Sequence, residues 1–112
     1  LTKLFARIDV EERRNAKVAH LGGGMAWLPK MLVGYGYQQD IYEVDPDVGI
    51  FIEEGILAHK YRVIVGDWRN TLHGQYDIIV YDIDFNLTAE DDLIISSHLS
   101  EGGFILKLTD PY

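Results

Sequence analysis

Five short segments of this chain read as strands, at Lys17 to Leu21, Gln39 to Val44, Tyr61 to Val65, Asp77 to Tyr81 and Phe104 to Leu108. The fourth is apolar almost throughout, as a strand covered on both faces must be. Between the first and second runs, Leu28, Met31, Leu32 and Val33 predict a mostly apolar helix, with Pro29 in its first turns and Gly34 and Gly36 at its end. Asp45-Pro46 predicts the start of a second helix, running to about His59, with Asp as N-cap and Pro at the first helical position. Thr88-Ala89-Glu90-Asp91 is a capping box with Asp in place of Glu, and opens a third helix that Gly102-Gly103 is expected to end. Leu1, Leu4, Phe5 and Ile8 recur at helical spacing and predict an amphipathic helix over 2–14. Strand and helix alternate over the whole length, which is the pattern of one α/β domain, residues 1–112, with a parallel sheet and right-handed crossovers.

The ends of the runs carry the chemistry. The first stops at Gly22-Gly23-Gly24, where the backbone can approach a ligand with no side chain in the way. The second stops at Glu43-Val44, about twenty residues on, where a carboxylate can accept hydrogen bonds from two ribose hydroxyls. The third stops at Gly66-Asp67, where an acid can accept from an exocyclic amine such as that of adenine, with Trp68 beside it to cover a flat base. Three adjacent strand ends of this kind suit an adenosine-bearing ligand, bound by Gly22, Gly23, Gly24, Glu43, Val44, Asp67 and Trp68, with Asp82 at the fourth strand end as a further cofactor-binding residue. Trp27 stands where a dinucleotide fingerprint has its third glycine, and an indole there disfavours close helix packing and a pyrophosphate at the helix start. The reading therefore leans from nicotinamide towards a cofactor without phosphate. Asp82 and Asp84 follow the fourth strand, nearest the expected reaction centre, where an acid can hold an amine, stabilise a cation or act as a base. Asp84 is equally readable as a loop acid, with Asp82 alone facing the cleft.

Composition narrows the partners. The net charge is −8 in 112 residues, which disfavours nucleic acid, since its binders cluster Lys and Arg. No apolar run approaches eighteen residues and the start carries no secretion signal pattern, so neither membrane nor export is expected and the chain reads as cytoplasmic. With no cysteine and four scattered histidines, no metal site is expected.

The linked motifs His20-Leu21-Gly22-Gly23-Gly24 with Leu28-Pro29-Lys30, Glu43-Val44-Asp45-Pro46-Asp47-Val48, Val65-Gly66-Asp67-Trp68-Arg69, and Tyr76-Asp77 with Tyr81-Asp82 resemble the class I S-adenosylmethionine-dependent methyltransferase fold, and within it the spermidine-synthase-like branch. The resemblance covers about residues 16–109. It implies a Rossmann-like sheet of five strands, order 3-2-1-4-5, with helices on both faces. It also implies that Gly22 and Gly24 line the methionine portion of the cofactor, Glu43 holds the ribose, Asp67 receives the adenine amine and Asp82 is the strand-four acid. Two departures stand out: Met25 replaces the Asp that aminopropyltransferases carry in the first turn, and Phe85 occupies the place of their second strand-four Asp.

The resemblance implies an enzyme that binds S-adenosylmethionine, or its decarboxylated form, and transfers a methyl group to a small-molecule acceptor. Aminopropyl transfer to a polyamine and a non-catalytic cofactor-binding module are the alternatives. The family's sheet continues past strand five into an antiparallel hairpin, which this chain is expected to lack as a minimal or truncated version. With that edge uncovered, a homodimer or higher oligomer through strand five is expected.

Overall fold

The computed structural model describes the backbone of residues 14–22, 27–44, 62–82 and 87–108, and all their side chains but those of residues 27, 30, 31 and 82. Five strands, β1 (Lys17–Leu21), β2 (Gln38–Glu43), β3 (Arg62–Val65), β4 (Tyr76–Asp82) and β5 (Leu99–Leu108), form one sheet in the order β3-β2-β1-β4-β5. All four pairings are parallel. The helices among the described residues are α1 (Trp27–Val33), α2 (Trp68–Thr71) and α3 (Ala89–Ser97). The helix expected over 2–14 lies outside the described residues except at its end, where Arg14 and Asn15 are helical. The helix expected to follow Asp45 lies wholly outside them.

Alternation along the strands divides the core in two, as the period of two requires. Val18, Ile78 and Val80 pack on one face with Leu28 and Leu32 of α1 and with Tyr37. Ala19, Leu21, Tyr42, Ile79 and Tyr81 pack on the other with Trp68, Leu72 and Ile95. Helices thus cover both faces, and β1 and β4 at the centre are almost fully buried.

The second face contains a buried polar chain. Arg62 donates Nε and Nη2 to the two carboxylate oxygens of Asp40 at 3.0 and 2.9 Å. The Tyr76 hydroxyl donates to Asp40 Oδ2 at 2.7 Å, and the Tyr42 hydroxyl, 2.5 Å from it, donates to Tyr76 in turn. Burial above all, then these bonds, push the Tyr76 hydroxyl well above its ordinary pKa. The chain spans β3, β2 and β4, with every polar atom it buries given a partner, so the desolvation cost of Asp40 is offset.

One boundary differs from expectation. Gly102-Gly103 does not end the helix; α3 stops at Ser97, and β5 begins at Leu99 and runs through both glycines. The register jumps there, from Tyr76 opposite Leu99 to Ile78 opposite Phe104, so the pair forms an irregularity in the strand. Gly102 sits at φ 78°, and a Cβ on Gly103 would lie 2.7 Å from the Asp77 carbonyl oxygen. Both positions therefore need glycine for reasons that concern the sheet. The Thr88 capping box is formed as expected, with Thr88 Oγ1 accepting from the Asp91 N–H and Asp91 accepting from the Thr88 N–H.

Candidate functional site

The carboxyl ends of β1, β2, β3 and β4 are brought level by main-chain bonds. Leu21 pairs with Tyr42 on one side and Tyr81 on the other, so Gly22 stands level with Glu43 and Asp82. Gly22, at φ 85°, donates its N–H to the Tyr42 carbonyl at 2.6 Å. Gly66, at φ 139°, donates to the Glu43 carbonyl at 2.9 Å and turns the chain into α2. That φ is open to glycine and strained for other residues, and a Cβ at Gly66 would come within 2.9 Å of the Thr71 methyl. Thr71 also donates its hydroxyl to the Asp67 carbonyl, so the turn and the helix brace each other.

Glu43 is buried at the end of β2, while Val44 and Val65 beside it are 66% and 46% exposed. A buried acid flanked by open apolar side chains suits a ligand with a diol and a flat ring. Asp67 caps α2, its Oδ1 accepting from the Arg69 N–H at 3.0 Å and more distantly from Arg69 Nη1 at 3.4 Å. Its Oδ2 has no partner among the described residues.

Trp68 is placed differently from expectation. Its side chain is buried in the core with Ala19, Leu21 and Tyr42, and the Arg69 guanidinium lies over its ring at 4.6 Å. Packing against the sheet decides the direction of the indole, so a base at this edge would meet Val44 and Val65. Gly23, Gly24 and Asp84 lie outside the described residues, as does the side chain of Asp82, whose backbone ends β4 opposite Leu108.

Three residues at the site carry roles that motif reading misses. Arg69 reaches from α2 to α3, donating Nε and Nη2 to the two oxygens of Asp91 at 2.7 and 3.0 Å. Arg69, and after it the Thr88 backbone, hold the Asp91 carboxyl down at about 2. Behind the glycine turn, His20 Nε2 lies 2.7 Å from Gln39 Oε1, and Gln39 Nε2 donates to the Pro29 carbonyl in α1 at 3.0 Å. Since the Gln39 amide nitrogen is committed to Pro29, its oxygen must accept, which assigns the His20 proton to Nε2. Burial lowers the His20 pKa to about 4, against the opposing effects of Gln39 and Asp40. Among the described residues no three His, Asp or Glu side chains converge as a metal site, and no helix is long and apolar enough to cross a membrane.

No family model and no curated protein matches the chain. Solved structures do. The mitomycin 7-O-methyltransferase MmcR is similar at a TM-score of 0.72 and 17% identity, over 99% of this chain and 35% of its own. The O-methyltransferase from a trans-AT PKS multienzyme of Brevibacillus brevis, in complex with S-adenosyl-L-homocysteine, is similar at 0.71 and 18%, over 96% of this chain and 39% of its own. TehB from Haemophilus influenzae is similar at 0.70 and 22%, over 88% and 39%. The chain thus has the Rossmann-like fold of these proteins and spans well under half of their length.

Proposed function

We propose that this chain is the cofactor-binding part of an S-adenosylmethionine-dependent methyltransferase acting on a small-molecule acceptor. The observation that carries this reading is the convergence of Gly22, Glu43 and Asp67 on one edge of the sheet, with Val44 and Val65 open beside them. The donor set fits the cofactor: a carboxylate for the ribose hydroxyls, a second for the adenine amine, apolar side chains for the ring and a side-chain-free turn for the amino-acid portion. Among the similar folds, the methyltransferase MmcR and the Brevibacillus brevis O-methyltransferase in complex with S-adenosyl-L-homocysteine support the same ligand class.

When bound, S-adenosylmethionine would supply a methyl carbon made electrophilic by its sulfonium, and Glu43, Asp67 and the turn at Gly22 would hold it. The chain's own contribution is mainly positioning. Glu43 and Asp67 anchor the two ends of the nucleoside. The backbone of Asp82 ends β4 level with Gly22, where β1 and β4 meet and the order of the sheet reverses, and in this reading its carboxylate orients the acceptor and takes its proton. Asp84 follows two residues later and shares this proposal.

Calorimetric titration with S-adenosylmethionine, its decarboxylated form and S-adenosylhomocysteine tests the reading. Preference for the first and third over the second is expected, and binding of none would refute it. The motifs resemble the spermidine-synthase-like branch, so aminopropyl transfer is the competing chemistry. Because Met25 and Phe85 replace the amine-holding acids of that branch, putrescine is expected to be a poor acceptor. Steady spermidine formation from decarboxylated S-adenosylmethionine and putrescine would reverse that choice.

A further inference from the structure

Asp67 does not stand alone at its strand end. Its Oδ1 is occupied twice, by the backbone N–H and the guanidinium of Arg69, which leaves Oδ2 as the oxygen without a partner among the described residues. The guanidinium is in turn fixed by its two-pronged bond to Asp91, whose carboxylate is buried, and by the Trp68 ring beneath it. A forked Arg–carboxylate pair has one favoured geometry, so Arg69 has little freedom to swing.

We propose that the Arg69–Asp91 clamp makes Arg69 a specificity-determining positioning residue, by which this site selects a 6-amino purine over a 6-oxo purine. The inference rests on the reading of Asp67 as the acceptor for the base amine. A carboxylate oxygen can only accept, so it attracts an amino group and repels a carbonyl oxygen. That discrimination fails if a donor beside the carboxylate can turn to meet the carbonyl. Arg69 is such a donor, and its fork to Asp91 commits Nε and Nη2 while Nη1 rests on Asp67 Oδ1. The clamp thus leaves Oδ2 as the acceptor of this carboxylate and commits the donor that would rescue the wrong base.

The experiment compares the Kd of S-adenosylhomocysteine with that of S-inosylhomocysteine, which differs by a 6-oxo group, in the wild-type protein and in two variants. Asp91→Asn weakens the hold on the guanidinium. Arg69→Gln combined with Asp91→Asn removes both charges together, so that no buried charge is left alone. Wild-type protein is expected to prefer the adenosyl compound at least thirtyfold. In both variants the preference should fall at least fivefold, in Asp91→Asn chiefly through tighter binding of the inosyl compound. A clamp that only supports the fold would weaken both ligands equally and leave the ratio unchanged, and that result overturns the proposal. A wild-type ratio near one also overturns it while leaving the cofactor reading intact, whereas wild-type protein that binds neither compound removes both.

Discussion

Glu43→Ala is expected to weaken S-adenosylhomocysteine binding roughly a hundredfold, by about 3 kcal/mol, with the fold retained. Each hydrogen bond to a charged group contributes roughly 1.5–3 kcal/mol, and a ribose offers this carboxylate two hydroxyls. The effect should be large because Glu43 is sheltered at the end of β2, where competing water is scarce. Glu43→Gln, which keeps one acceptor oxygen, should fall between wild type and alanine. Calorimetry measures the affinities and thermal melts check the fold. An alanine variant that binds like wild type would place the ligand at some other edge.

The second large effect is an acid-side loss of stability carried by His20. Its pKa is lowered to about 4 in the folded chain, chiefly by burial, from an ordinary 6.5. Between those values the unfolded chain binds a proton that the folded chain refuses, so stability is full above pH 6.5 and is lost as pH falls towards 4. A displacement of this size corresponds to about 3 kcal/mol. Protonation would also place a second proton on a ring whose Nε2 already donates to Gln39, in surroundings that cannot solvate the charge. Denaturant melts from pH 7.5 to 4 should therefore show a decline in wild type that is much reduced in His20→Asn. Asp91, held near 2 by Arg69, titrates in a separate window: its contribution is present above about pH 4 and is lost only as pH falls through 2. Equal slopes in the two proteins would assign the decline to other groups.

The two predictions differ in how far a reader of the sequence could have reached them. The strand-end positions of Glu43 and Asp67 were legible because each closes a segment that reads as a strand of a parallel sheet, and the carboxyl ends of such strands share one edge. The strand order was legible only through the family resemblance, since periodicity says nothing of which strand lies beside which. His20 was visible as a residue before the glycine turn, yet its neutrality depends on Gln39 nineteen residues away and on the burial of both. Arg69 was hidden for the same reason, because Asp91 lies twenty-two residues on, in another helix. The Gly102-Gly103 pair misled for a local reason: two glycines after a helical pattern look the same whether they cap the helix or kink the next strand. Only the approach of the Asp77 carbonyl distinguishes the two. Trp68 was placed correctly along the chain but not in direction, since a residue beside a ligand loop can turn its ring to the core as easily as to the base.

The two amide bonds that level the strand ends, Gly22 to the Tyr42 carbonyl and Gly66 to the Glu43 carbonyl, bear on how readily this domain could acquire a new ligand. Both are drawn by main chain, so neither uses the side chains of Glu43, Val44 and Val65. Side-chain chemistry and scaffolding are therefore separable by inheritance: the side chains at this edge can drift one at a time while the shelf they stand on persists. The domain is tolerant at those side chains and brittle at Gly22 and Gly66, where the positive backbone angle is itself the requirement.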